Sequence, residues 1–215
     1  WLLPQVETAR TFAWSRVGSG LYLALWGAFK KVCVADVIAP YVDKVFVLNE
    51  PGGPLLWAAT LGFTIQILAD FSGYTDIARG TARMLGFELS ENFRHPYLAR
   101  THPEFWRRWH ISLSSWLRDY VFTPLAGPTG TRRVGAIFVT LLLAGLWHGA
   151  SWNFVLLGLY ESVVMVAYIV GTRSLPKWAR SLPGGAALAV GLHFAIAFPG
   201  FFLFRETHLD RVVAG

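Results

Sequence analysis

The chain has 215 residues, of which 54% are hydrophobic and only 15% charged, and its formal net charge is +6. A soluble domain carries about 25% charged residues, so this balance, with a mean hydropathy of +0.43, excludes an ordinary water-soluble globule. The basic excess reads as loop charge facing the cytoplasm rather than a nucleic-acid surface, and the single Cys33 excludes an intrachain disulfide.

The class that remains is an all-α, polytopic transmembrane helical bundle with short interfacial or re-entrant helices. No positively charged leader with a small-residue cleavage site is visible. We expect residues 1–215 to form one membrane-embedded region, an incomplete piece of a longer polytopic protein.

Taken in chain order, the first apolar segment is 17–34, with Lys30 and Lys31 inside it and an interfacial end. Pro51-Gly52-Gly53-Pro54 predicts a turn before the second segment, 55–69. Asp70-Phe71-Ser72-Gly73-Tyr74-Thr75-Asp76 is expected to break that segment. Six arginines follow (Arg79, Arg83, Arg94, Arg100, Arg107 and Arg108), interleaved with Glu88, Glu91 and Glu104.

His102-Pro103-Glu104 has the form of a helix start, with proline in the first turn and an acid behind it. On one helix from there to about residue 120, Trp106, Trp109, His110, Leu113 and Leu117 recur at three- and four-residue spacing and make an apolar face. Arg107, Arg108, Ser115 and Arg118 point away from it, as on a helix lying along the cytoplasmic interface.

The last three segments are 134–146, 152–170 and 186–204, and only the final two approach the roughly 20 residues that a span requires. Arg132 and Arg133 precede the third segment, and Arg173, Lys177 and Arg180 follow the fourth. A hairpin of these two segments puts both basic clusters on the cytoplasmic face. The third segment has only about 13 residues, roughly 20 Å of helix, so His148 is expected inside the membrane at the floor of a cavity, with Trp147, His148 and Gly149 in non-helical backbone.

Two histidines stand out because an ionisable imidazole at bilayer depth is unfavourable and marks a functional site by default. His148 lies in Gly145-Leu146-Trp147-His148-Gly149-Ala150-Ser151-Trp152. The small residues leave room beside its ring, the tryptophans keep the walls apolar, and a neutral imidazole there can take a proton from a hydroxyl as general base. His110 has two readings, a site residue or an interfacial histidine that snorkels with its arginine neighbours. His95, His102, His193 and His208 have no motif around them and are given no role. His95 and His102 lack the third ligand of a zinc site, so no metal is expected. Ser114, Ser115 and Ser151 lack the elbow of a serine nucleophile. On composition alone, a transporter or channel explains the buried histidines and broken helices equally well.

Together the strings resemble the membrane-bound O-acyltransferase family, in particular its bacterial branch of alginate O-acetylation and D-alanyl transfer proteins. They are Asp70 to Asp76, Glu91-Asn92-Phe93-Arg94-His95-Pro96-Tyr97, the run from Glu104 to Tyr120 containing Phe105-Trp106-Arg107-Arg108-Trp109-His110, and Gly145 to Trp152. The likeness covers most of 20–205.

It implies an acyltransferase in which His148 matches the catalytic histidine and His110 the second site histidine. Trp106, Trp109, Trp147, Trp152, Asn153 and Ser114 are candidate substrate contacts. It further implies an acyl donor from the cytoplasm (acetyl-CoA or an acylated carrier), a polysaccharide acceptor, a periplasmic or extracellular acetyltransferase partner, no bound cofactor, and a multi-pass place in the bacterial inner membrane. D-alanyl transfer to teichoic acid is the alternative within the resemblance. The chain departs from the pattern at Ala69, at Leu125-Ala126-Gly127, and at Leu159-Tyr160-Glu161, where a histidine-glycine pair is expected.

Overall fold

The computed structural model describes residues 3–9, 11–127, 130–174 and 185–206. Among them every regular element is helical and none is a strand, as the composition requires. The chain divides into two compact units, Trp1–Asn92 and Phe93–Gly215.

The first unit holds α1 (Leu3–Glu7), α2 (Trp14–Phe29), α3 (Asp36–Phe46) and α4 (Gly53–Met84). A π-helical turn, Lys30–Ala35, joins α2 to α3 without a break. Neighbouring residues on a regular helix point about 100° apart. Here Lys30 reaches Asp76 at 2.7 Å while Lys31 reaches Asp70 at 2.7 Å, so both lysines meet acids of α4. The wide turn is the local adjustment that allows this. Ser72 accepts a further hydrogen bond from Lys30 at 2.9 Å, and Arg79 lies 3.1 Å from Asp76.

The expected break at Asp70–Asp76 does not occur. α4 runs 32 residues straight through it, because the carboxylates are neutralised by cations rather than exposed by unwinding. Of the expected turn at Pro51–Pro54, Pro51 and Gly52 lie between helices, whereas Gly53 and Pro54 already form the first turn of α4.

Backbone contact sets the α2–α4 pairing. A Cβ on Gly20 would lie 2.6 Å from the Gly80 carbonyl oxygen, and one on Gly27 2.5 Å from that of Gly73. The order is antiparallel, and both pairs use the small-residue packing that lets membrane helices approach closely.

The second unit holds α5 (His102–Arg108), α6 (Ile111–Leu117), α7 (Thr123–Leu125), α8 (Thr131–His148), α9 (Trp152–Ser174) and α10 (Gly185–Arg205). α8 and α9 form the expected hairpin, since a Cβ on Gly158 would meet the Leu141 carbonyl oxygen at 2.8 Å. Arg132 and Arg133 begin α8, and Arg173 is in the last turn of α9; Lys177 and Arg180 lie outside the described residues.

α8 corrects the third segment: it has 18 residues and includes Trp147 and His148. That is about 27 Å of helix, so α8 is longer than the expected 13 residues, and of the expected non-helical Trp147, His148 and Gly149 only Gly149 leaves the helix.

α4, the Trp152–Gly171 stretch of α9, and α10 are long and apolar enough to cross a membrane. Leu188, Leu192 and Val163 are exposed on the last two, an apolar outer surface suited to lipid.

Gly27→Val should destabilise the chain by about 1–3 kcal/mol through overpacking against α4. Gly18→Val, whose side chain meets nothing within 4 Å, should not. Thermal unfolding in detergent checks this, and equal melting of the two variants would contradict the close packing.

Candidate active site

The predicted single helix over 102–120 is in fact two helices with a sharp break. Thr101 caps α5 by accepting the Glu104 amide at 3.2 Å, and Glu104 also accepts the Arg100 amide at 2.8 Å and Arg108 at 2.6 Å. The helix therefore starts at His102, as expected. It stops at Trp109, whose backbone is extended, and His110 takes φ 42° and ψ 57° before α6 begins.

A left-handed histidine is uncommon and is unfavourable unless its surroundings hold it. Ser114 does part of this: its amide donates to the His110 carbonyl at 2.9 Å, and its hydroxyl donates to the Trp109 carbonyl at 2.9 Å. The break turns the His110 side chain out of the α5 register, and the ring ends 8% exposed.

There it stacks beside Phe93, with centroids 6.5 Å apart, and meets the Trp147 indole at 5.5 Å. The same indole lies 5.0 Å from the His148 ring. His148, the last residue of α8, is held by Phe204 of α10 at 4.7 Å and Phe154 of α9 at 5.8 Å. His148 is exposed, not shut in the dry pocket that its sequence surroundings suggest.

The other candidates divide. Trp147 lies between the two histidines. Trp106 and Ser114 line a cavity of about 600 Å³ shared with Arg107, Arg118, Arg133 and Met165. Trp109 is packed among Phe105, Phe201 and Tyr97. Asn153 is buried, bonded to Ser151 and to the Leu203 carbonyl at 3.4 Å, so it ties the start of α9 to α10. Trp152 is exposed.

A second buried polar cluster, His102 with Glu161 and His193, was given no role from the sequence. The signal was present in Glu161 and His193, ionisable residues inside apolar segments. Among the described residues, no group of three or more His, Cys, Asp or Glu side chains is arranged to hold a metal ion.

Comparison with known proteins decides the family: residues 9–184 match the model of MBOAT, the membrane-bound O-acyltransferase family. The chain belongs to that family. It is 38% identical over 204 residues to a protein of Azotobacter vinelandii described as a probable alginate O-acetylase AlgI, covering 94% of this chain and 40% of the relative. It is 42% identical over 209 residues to the protein of the same description from Pseudomonas putida, covering 93% and 41%. It is 32% identical over 204 residues to a peptidoglycan O-acetyltransferase of Helicobacter pylori, covering 92% and 38%. The chain thus spans about two fifths of the length of these relatives.

Burial pushes the His110 imidazole down from 6.5 to about 4, with the charge of His148 adding to the effect. In the unfolded chain the ring titrates near its ordinary value of about 6.5. The unfolded state therefore binds more protons between the two values, and this residue's share of stability falls as pH drops through that window. His110→Asn should flatten the loss of melting temperature between about pH 6.5 and pH 4. An unchanged slope would contradict a neutral, buried His110.

Proposed function

We propose that this chain carries the transfer site of a membrane O-acyltransferase that moves an acetyl group from a cytoplasmic thioester toward an extracytoplasmic polysaccharide. One observation carries the reading: the exposed His148, in contact with Phe154 and Phe204, shares the Trp147 indole with the buried His110.

In the reaction, the acceptor hydroxyl oxygen attacks the acyl carbonyl carbon while His148 takes its proton. The carbon–sulfur bond then breaks, and the leaving thiolate receives that proton from His148. His110, held neutral, offers one ring N–H to the carbonyl oxygen, where negative charge develops.

The donor is acetyl-CoA or an acylated carrier. The cavity beside α5 and α6 suits its tail, having apolar walls with Arg107, Arg118 and Arg133 for phosphate oxygens. On this reading the basic ends of α8 and α9 face the cytoplasm and His148 lies toward the outer side of a bacterial inner membrane. The acceptor is an alginate-like or other cell-envelope glycan, reached directly or through a periplasmic acetyltransferase partner; the relatives' names mention alginate and peptidoglycan, both polysaccharides.

The test is transfer of labelled acetyl from donor to glycan or partner in membranes. His148→Ala, folded and inserted, should slow transfer by about 10²–10⁴, the usual worth of general-base help. A variant that transfers at the parental rate would remove His148 from the chemistry.

A further inference from the structure

Glu161 is the tenth residue of α9, inside its membrane-length stretch, and is 7% exposed. A carboxylate in that position is unfavourable unless it is paired. Two side chains of α5 converge on its Oε2 atom: His102 Nε2 at 2.8 Å and Trp106 Nε1 at 3.2 Å. His102 is 1% exposed, and His193 of α10 brings its ring to 5.7 Å from that of His102.

α10 leaves space for the carboxylate, because a Cβ on Gly200 would lie 2.7 Å from Glu161 Oε1. Three helices therefore shape one site around this side chain.

α5 has only seven residues, far below the length at which a helix holds itself. Its position must come from tertiary anchors, and it ends one residue before Trp109 and two before His110. Phe105 packs among aromatic rings, whereas the Trp106 N–H, shared between Glu161 Oε2 and His102 Nε2 at 3.2 Å each, and the 2.8 Å approach of His102 to Glu161 fix the helix's rotation. Rotation decides where the break aims the His110 ring.

We infer that Glu161 and His102 are a positioning pair that holds Trp106 and the rotation of α5, and thereby sets the place of His110 at the transfer site. This rests on the transfer reading above. Glu161 touches no reacting atom and acts through α5.

The experiment compares Glu161→Ala with Glu161→Gln, whose amide oxygen still accepts from the Trp106 N–H, in the full chain in membranes. Misplacement of a distant support is felt mainly in turnover, so Glu161→Ala should lower kcat about tenfold or more with little change in KM, and Glu161→Gln should restore most of it. Trp106→Phe, which removes only the N–H, should lower kcat in the same direction and covers the case in which Glu161→Ala does not fold.

A readout independent of activity is the ¹⁹F signal of 5-fluorotryptophan at Trp106, assigned by its absence in Trp106→Phe. It should move in Glu161→Ala and stay near its parental place in Glu161→Gln. Parental kcat in Glu161→Ala, an unmoved Trp106 signal, or a Glu161→Gln variant as impaired as the alanine would each overturn the positioning role. Absence of His148-dependent transfer in the parent overturns the transfer reading itself, and the ¹⁹F comparison shows whether the contact stands without it.

Discussion

The indole of Trp147 lies between two imidazoles, and most of the second unit is arranged around that contact. His148 reaches it because α8 continues as helix to its last residue and Phe204 backs the ring at 4.7 Å. His110 reaches it because the chain breaks between α5 and α6 and accepts a left-handed residue there. A strained backbone at a non-glycine residue persists only where its surroundings determine it. Here the Ser114 bonds, the Phe93 stack and the α5 anchors all act on the same two residues.

An apolar surrounding phase explains much of the remaining organisation. Buried charged groups are unfavourable there, and Lys30 is matched with Asp76 and Ser72, and Glu161 with His102 and Trp106. Association between apolar helices has no hydrophobic driving force in lipid. Close glycine contacts supply it instead, in α2 against α4 and in α8 against α9. Each matched charge also fixes a register, which the apolar residues around it leave free.

The all-helical class, the α8–α9 hairpin, the start of α5 and the turn before α4 were legible in the sequence. Each follows from local chemistry: apolar runs, a proline in the first turn, a glycine-proline pair. The break at Trp109–His110 was not legible, because Trp106, Leu113 and Leu117 keep helical spacing on both sides of it. Contacts from residues distant in sequence, among them Phe93, Phe201 and Trp147, help to hold the kink. The continuity of α4 was missed for the converse reason. Asp70, Ser72 and Asp76 read as a breaker until Lys30 and Lys31 are seen to satisfy them. Counting only apolar residues also shortened α8, whose first turn is Thr131, Arg132 and Arg133. His102 had no local motif, since its partner Glu161 is on another helix.

If His110 and His148 serve one reacting centre, removing either should disable it, and removing the second should add little. The decisive measurement is single-turnover acetyl transfer by His110→Ala, His148→Ala and the double variant, each normalised to folded protein. Residues acting as a unit lose rate non-additively, so the double variant should match the slower single variant. Losses that multiply would mean that the two imidazoles act independently and that the shared indole is packing alone.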